Sequence, residues 1–452
     1  MNDNIAAISS GSRTNQPISI VRLSGPNAVE IVKKIFKGKV GQDHQITYGE
    51  IYDNQTLIDE VLIMWFVGKE DKNGNIIYNN YVGEPIIEIN CHGGIVVTNK
   101  ILELLLVHGA RLAEPGEFTR RAFLNGKLDL VKADAIHDLI MAKTSTQAQA
   151  SVSKFKGKTS DLLDKINNRI SLLIGTAEVN IDYPEYEDVD QITSKLFIKT
   201  LTELSNEFNK IIRVSEKSRY IFEGVKVAIL GKPNVGKSSV LNALLSEDKA
   251  IVTDIAGTTR DLVEASYQID GILFKLIDTA GIRKTNEIIE QIGIKKSFDQ
   301  IEQADLILHI LDPSQENNEF DIEIEKKSKE LNKYYLKVMN KVDLIDSKND
   351  EYIYISALNN DIDILEKALV ENFKNIDILD ERIFSNTRQL SLIKKAKRHI
   401  DDALVLATNE GYTFDTLIVD LYDAWDSLEE IKGRANREDL LDTMFSNFCL
   451  GK

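Results

Sequence analysis

The amino-acid sequence predicts a multidomain fold: an α+β N-terminal domain, a discontinuous all-α helical domain, and an α/β P-loop domain inserted between the two halves of the helical one. Three observations carry the prediction. A chain of 452 residues is too long for one ordinary hydrophobic core. The stretch Gly231-Lys232-Pro233-Asn234-Val235-Gly236-Lys237-Ser238 fits G-x-x-x-x-G-K-[ST], a loop that cradles phosphate, and it sits between the apolar run Val225 to Leu230 and the helical pattern Val240, Leu241, Leu244. On both sides of that region apolar residues recur three and four apart, the spacing of amphipathic helices.

The elements follow in order. Residues 1–118 mix strand and helix signals: Ile18 to Leu23 reads as a strand, Ser24-Gly25-Pro26 as a turn into a helix around Ala28 to Phe36, and Ile86 to Asn90 as another strand. Residues 119–221 form the first helical part, where Leu128, Val131, Ala135, Leu139 and Ala142 share one helical period and Leu163, Ile166, Ile170 and Leu173 another. The acidic run Asp182-Tyr183-Pro184-Glu185-Tyr186-Glu187-Asp188 interrupts them and reads as a solvated turn rather than a metal site. The P-loop domain occupies 222–377 in the order strand, loop, helix, hairpin through Asp270-Gly271, then alternating strands and helices. Residues 378–452 return to helical signals, as in Leu441, Met444 and Phe448.

Composition excludes several classes. A formal charge of −16 and a pI near 5.0 argue against gripping nucleic acid through a global field, so RNA contact needs a local patch or a partner. Cys91 and Cys449, the two cysteines, show no metal-ligand spacing and fit a reducing cytosol. The apolar run Val61 to Val67 is only strand length and the N-terminus lacks the basic and apolar regions of a signal peptide, so a soluble, cytoplasmic protein without membrane contact is expected.

Downstream motifs specify the nucleotide. In the loop, Asn234, Val235, Gly236, Lys237, Ser238 and Ser239 are expected to bind it: main-chain N–H groups close on phosphate, Lys237 adds a point charge, and the Ser238 hydroxyl holds Mg²⁺. Asn340-Lys341-Val342-Asp343 follows the strand-like run Tyr334 to Met339, and its amide and carboxylate suit guanine's acceptor and N–H edges. Adenine would leave that carboxylate unpaired. Asp278-Thr279-Ala280-Gly281, after the strand Leu273 to Ile277, supplies a carboxylate toward Mg²⁺ through water and a main-chain N–H for the γ-phosphate. Gly257-Thr258-Thr259-Arg260-Asp261 lies where a first switch belongs, and Ser356-Ala357 closes the base site. These five motifs in this order predict a P-loop GTPase that binds GTP with Mg²⁺.

Further motifs run outside that domain: Ile20-Val21-Arg22-Leu23-Ser24-Gly25, Cys91-His92-Gly93-Gly94, Pro115-Gly116-Glu117-Phe118-Thr119, Arg121 to Leu130, and the terminal Phe448-Cys449-Leu450-Gly451-Lys452. With Gly257 to Asp261 they make the chain resemble, along essentially its whole length, the MnmE (TrmE) family of tRNA-modification GTPases. Leu450 stands where that family usually has Ile, and Asn80 to Pro85 departs from its N-S-[FY]-T-G-E-D segment. The resemblance implies a folate-binding, dimerising N-terminal domain, hence a homodimer, and a hetero-oligomer with the flavoprotein MnmG, through which tRNA is engaged. It also implies the chemistry: an aminomethyl or carboxymethylaminomethyl group installed on the wobble uridine with a one-carbon unit from a tetrahydrofolate derivative (5-formyl- or methylene-tetrahydrofolate).

Read alone, Arg22, Glu88 and Lys127 are solvated surface charges; the resemblance makes them, with Lys452, the folate contacts. Ras-like GTPases orient the attacking water with a Gln just after D-x-x-G, but Ile282 stands there, so another residue must serve. Glu287 and Glu290 lie shortly beyond, and the resemblance selects Glu290. It also implies K⁺ near the phosphates, held by Asn234 and the carbonyls of Thr253, Ile255 and Thr258, with Thr259 completing the Mg²⁺ shell beside Ser238. Cys449 reads locally as a small buried hydrophobe, whereas its place in the terminal motif implies a role in modification. His92 reads as structural, since no acidic partner can be placed for it from sequence. A ribosome-assembly or regulatory switch GTPase is the competing reading; it predicts a basic flank or a duplicated P-loop domain, and the sequence has neither.

Overall fold

The computed structural model describes residues 3–10, 15–182, 187–245, 265–277, 298–344, 349–374, 377–409, 413–434, 441, 444–446, 448 and 451, the side chains of 187–194 and 344 excepted. The chain divides into two compact units, one of residues 1–137 with 428–452 and one of 138–427.

In the first unit, seven strands form one sheet in the order β3-β4-β5-β8-β2-β1-β9. They are β1 (Ile5–Ile8), β2 (Ile18–Ser24), β3 (Phe36–Gly38), β4 (Gln45–Asp53), β5 (Thr56–Phe66), β8 (Ile86–His92) and β9 (Arg111–Leu112); β6 (Lys69–Glu70) and β7 (Ile76–Ile77) make a separate small pair. Alternation of side chains splits the burial between faces. Val21, Leu23, Ile63, Ile87 and Ile89 pack with the helices Ala28–Lys33 and Ile95–Val107, while Ile5, Ala7, Ile86 and Phe118 form a separate cluster. The first helix ends at Lys33 rather than reaching Phe36 as the sequence predicts. Phe36 instead pairs with Ile51 as the first residue of β3, its ring centroid 6.1 Å from that of Trp65. A tertiary contact decides the boundary there, not helical period.

Helix Glu117–Leu124 lies in the same unit, and helix Leu130–Met141 begins in it, its residues from Asp138 on counting with the second unit. Leu130 and Ala133 pack against Leu441, Phe445 and Phe448, so the end of the chain shares a core with its first third. Burial on helix Leu130–Met141 stops at Ile136, and Leu139, predicted to lie on the apolar stripe, is exposed with Ile140 and Met141. At Gly116 (φ +68°) a Cβ would lie 2.6 Å from the Phe445 carbonyl oxygen, so only glycine admits this approach.

The second unit contains a helical part and a six-stranded sheet. Helices Ser145–Phe155, Lys158–Asp182, Glu187–Phe222, Thr387–Thr408 and, as far as Ser427, Phe414–Lys432 are amphipathic; Leu163, Ile166, Ile170 and Leu173 are buried, as their spacing predicts. The sheet runs β11-β12-β10-β13-β14-β15, with β10 (Val225–Leu230), β11 (Ser266–Ile269), β12 (Ile272–Leu276), β13 (Leu306–Leu311), β14 (Tyr334–Met339) and β15 (Ile353–Tyr354). All its pairings are parallel except β11 with β12. Parallel strands are buried on both faces, which is why β13 reads Leu-Ile-Leu-His-Ile-Leu and is buried throughout. The predicted hairpin turns at Asp270 (φ 49°) and Gly271 (φ 79°), the left-handed pair that a two-residue turn between twisted strands needs. Chain entry and exit meet beside this sheet: Ser215 Oγ donates to the Arg382 carbonyl (2.9 Å) and accepts from the Phe384 N–H (3.0 Å).

Candidate nucleotide site and N-terminal pocket

The C-terminal end of β10 feeds the loop 231–236 and then helix Lys237–Leu244, at the strand ends where parallel sheets bind ligands. Three loop residues take positive φ: Gly231 (144°), Asn234 (64°) and Gly236 (97°). A Cβ on Gly236 would collide with the Asn340 amide, so close backbone approach, as well as φ, demands glycine.

Every carbonyl from Gly231 to Val235 accepts a side-chain hydrogen bond. Lys237 Nζ donates to Gly231 O (2.7 Å) and Lys232 O (2.6 Å). Gln315 donates to Pro233 O at 3.5 Å, Lys341 to Asn234 O at 3.1 Å, and Asn340 Nδ2 to Val235 O at 3.0 Å. With the carbonyls drawn outward, the loop can offer N–H groups to phosphate oxygens. Burial pushes the Lys237 ammonium below its ordinary pKa, and an anionic phosphate beside it would favour its charged form.

The base side is built by the same tie. Asn340, 3% exposed, also accepts from the Ala357 N–H (3.1 Å), so one side chain joins the P-loop, the 340–343 segment and the 356–357 segment. Lys341, at φ 60°, pairs with the buried Asp312, whose carboxyl is held below its ordinary range by hydrogen bonds from Lys341 and Ser314 that outweigh burial. Asp343 Oδ1 accepts from Ser356 Oγ (3.1 Å), and the carboxylate is otherwise exposed, as recognition of guanine N–H groups requires. Ser238 and Ser239 lie in the first turn of the helix.

The structure thus joins Asn234, Val235, Asn340, Lys341 and Ala357 through hydrogen bonds, with Asp343 bonded to Ser356 beside Ala357, while Gly236 packs against the Asn340 amide and Lys237 is tied to the Gly231 and Lys232 carbonyls. Thr253, Ile255, Thr258, Thr259, Asp278, Thr279, Ala280, Gly281 and Glu290 lie outside the described residues, as do Cys449 and Lys452. Sequence reasoning missed Lys232, Asp312 and Gln315. For Asp312 a signal existed: it directly follows β13, as the P-loop follows β10 and Asn340 follows β14.

In the other unit, Arg22 on β2 faces Glu88 on β8, with Nε and Nη2 both 2.8 Å from Glu88 Oε1. Arg22 Nη1 donates to the Gly451 carbonyl (3.0 Å), which also accepts from Ser9 Oγ (2.9 Å), and the guanidinium sits 5.4 Å from the Phe118 ring centroid. Gly451 has φ 91°, and a Cβ there would lie 2.5 Å from Ile8 O. Gly451 therefore lies against the end of β1, beside Arg22. Lys127 donates to Tyr78 O (2.5 Å) and borders Gly83; among the described residues no hydrogen bond or ion pair joins it to Arg22 or Glu88. The segment that departs from the family pattern is internally braced. Asn80 donates to Phe66 O and Glu84 O and accepts from the N–H groups of Val82 and Gly83, while Glu84 accepts from Ser24 and Arg121.

His92 does have an acidic partner, contrary to the expectation from sequence: its Nδ1 lies 2.6 Å from Asp59 Oδ1, and that carboxylate raises the imidazole above its ordinary pKa. Cys91 beside it is buried, and burial pushes its thiol up, so it is a poor nucleophile. Among the described residues no helix is long and apolar enough to cross a membrane.

Sheet order, phosphate loop and guanine-type base motif together define a P-loop GTPase. A family model described as "MnmE helical domain" matches residues 130–449, and one described as "GTP-binding protein TrmE N-terminus" matches residues 4–127. The tRNA modification GTPase MnmE of Mycoplasmopsis pulmonis (strain UAB CTIP) is 54% identical over 456 residues, covering 100% of both chains. That of Bacillus cytotoxicus is 41% identical over 468 residues, covering 100% of this chain and 99% of the other. The chain belongs to the MnmE family of tRNA-modification GTPases.

Proposed function

We propose that this GTPase works with the flavoprotein MnmG to install an aminomethyl or carboxymethylaminomethyl group at the fifth carbon of the wobble uridine of certain tRNAs, using a tetrahydrofolate one-carbon unit, as a cytoplasmic homodimer that reaches tRNA through the hetero-oligomer. Residues 1–118 serve folate binding and dimerisation, 119–221 and 378–452 the helical domain and its tail, and 222–377 the nucleotide. The observation that carries the reading is the meeting of Arg22, Glu88 and Gly451: it joins a half-buried cation, a carboxylate and the terminal motif at one place. That donor set fits the ligand. Glu88, held by Arg22, suits the pterin N–H edge, and Phe118 offers an aromatic wall; the glutamate carboxylates lie at the far end of the ligand. Bound tetrahydrofolate would supply the one-carbon unit; Lys127 and Lys452 would add positive charge for its tail, and Cys449 would lie beside it.

In the nucleotide site, Ser238 and Thr259 would hold Mg²⁺, and Glu290 would orient water. Asn234 is exposed with its carbonyl pinned by Lys341, which fits a role for its amide oxygen, with the carbonyls of Thr253, Ile255 and Thr258, toward K⁺. A cation there would offset charge developing between the phosphates. Equal hydrolysis rates in K⁺ and Na⁺ at matched ionic strength would remove that assignment. Nucleoside mass spectrometry of tRNA from a deletion strain, and reconstitution with the flavoprotein and labelled methylene-tetrahydrofolate, test the whole. Loss of the modified uridine and transfer of the label are expected; unchanged tRNA nucleosides would refute it.

A further inference from the structure

Lys232, the second residue of the phosphate loop, carries a buried side chain whose ammonium lies 3.0 Å from Asp321 Oδ2 and donates to Glu316 O at 2.5 Å. Asp321 sits in the first turn of helix Glu319–Glu330. Its Oδ2 also accepts from the Asn318 N–H (3.1 Å), and its Oδ1 lies 3.0 Å from His309 Nε2. An ionised carboxylate only accepts, so Nε2 carries the proton and Nδ1 accepts from Tyr335 OH at 2.7 Å. Burial keeps His309 less basic than usual, in line with that neutral tautomer. One buried ion pair, closed by a neutral histidine, thus fixes Lys232 to the framework of β13 and the helix that follows it.

The consequence lies in the main chain of the same residue. The Lys232 carbonyl is one of the two that hold Lys237 Nζ. We infer that Lys232 and Asp321 are positioning residues for the nucleotide: their ion pair orients the Lys232 carbonyl, and through it aims the Lys237 ammonium at the terminal phosphates. Neither side chain touches GTP. Their effect falls on binding of both GDP and GTP, because Lys237 reaches the β-phosphate that the two share as well as the γ-phosphate of GTP.

The inference rests on the P-loop being the nucleotide site, and the test separates the two. Full-length wild type, Lys232→Met, Lys232→Arg and Asp321→Asn are titrated with a fluorescent GDP analogue, assayed for GTP turnover and melted. Lys232→Met carries the test, since it leaves the Asn318 and His309 bonds to Asp321 intact. Lys232→Met and Asp321→Asn should each weaken GDP binding and raise KM about tenfold, ~1.4 kcal/mol, with kcat changed less than threefold, the signature of lost uniform binding. Lys232→Arg, which keeps a cation for Asp321, should stay within about threefold of wild type, and a Lys232→Met/Asp321→Asn double variant, measured in the same way, should bind no worse than the weaker single. A folded Lys232→Met protein with wild-type GDP affinity, or Lys232→Arg as weak as Lys232→Met, would overturn the inference. Wild type that fails to bind GDP would instead overturn the nucleotide site itself.

Discussion

Replacing Asn340 by Ala should cost the nucleotide domain more than most polar substitutions, because one side chain serves two buried groups in two other loops. The amide donates to Val235 O and accepts from Ala357 N, and both partners are buried, Val235 at 0% and Ala357 at 8% exposure. Truncation leaves a carbonyl and an N–H without partners. Each buried orphan costs about 1–3 kcal/mol, so the pair amounts to ~2–6 kcal/mol, with the lower end applying if water enters the space left. At about 2–4 °C per kcal/mol for a domain of this size, the melting transition should fall by at least ~4 °C. The substitution also frees Val235 within the phosphate loop, so affinity for GDP should fall in parallel. Differential scanning calorimetry with saturating and with no GDP measures both effects. An Asn340→Ala protein melting within about 1 °C of wild type with unchanged GDP affinity would show that the tie is dispensable and the reasoning wrong.

Three further outcomes are expected. Glu290→Ala should lower turnover at saturating GTP and K⁺ while sparing GTP affinity, since water orientation belongs to the transition state; turnover within about twofold of wild type would assign that role elsewhere. Deleting Cys449 to Lys452 removes Gly451, the acceptor of Arg22 and Ser9, and should abolish wobble-uridine modification and weaken folate binding while hydrolysis persists, read by nucleoside analysis, folate titration and phosphate release. His92 should titrate above 6.5 because of Asp59, and its contribution to stability is therefore complete below that value and lost as pH rises through the elevated folded-state pKa; NMR titration of Asp59→Asn should return it toward 6.5, and an unmoved midpoint would refute the pairing.

What the sequence made legible follows from what periodicity and turn chemistry encode. The strand Val225 to Leu230, the phosphate loop, the Asp270-Gly271 hairpin and the stripe Leu163, Ile166, Ile170, Leu173 are local patterns, and each appears where its spacing puts it. Contacts between distant residues were not legible. His92 and Asp59 lie 33 residues apart, Lys232 and Glu316 84 apart, and neither pairing leaves a trace in composition or period. The overlong first helix and the misplaced Leu139 share one cause: helical spacing registers a possible apolar face but not where a partner surface ends. Arg22 and Glu88 are the instructive case. They look like solvated charges in the linear sequence, and only the antiparallel register of β2 on β8 makes them a half-buried pair.

The phosphate loop needs support from outside itself. Asn234 and Lys341 both take positive φ, at 64° and 60°, a region that Asn tolerates but that costs a long side chain such as Lys about 1–2 kcal/mol. The loop alone cannot hold such a shape, since its own N–H groups must stay available for phosphate. Lys341 is held by its ammonium, which pairs with Asp312 and donates to Asn234 O, so the contact that fixes one left-handed residue also fixes the other. Charge-assisted hydrogen bonds contribute about 1.5–3 kcal/mol each, enough to offset the backbone cost at both positions. The P-loop is therefore strained by its task and braced by side chains from the ends of β13 and β14.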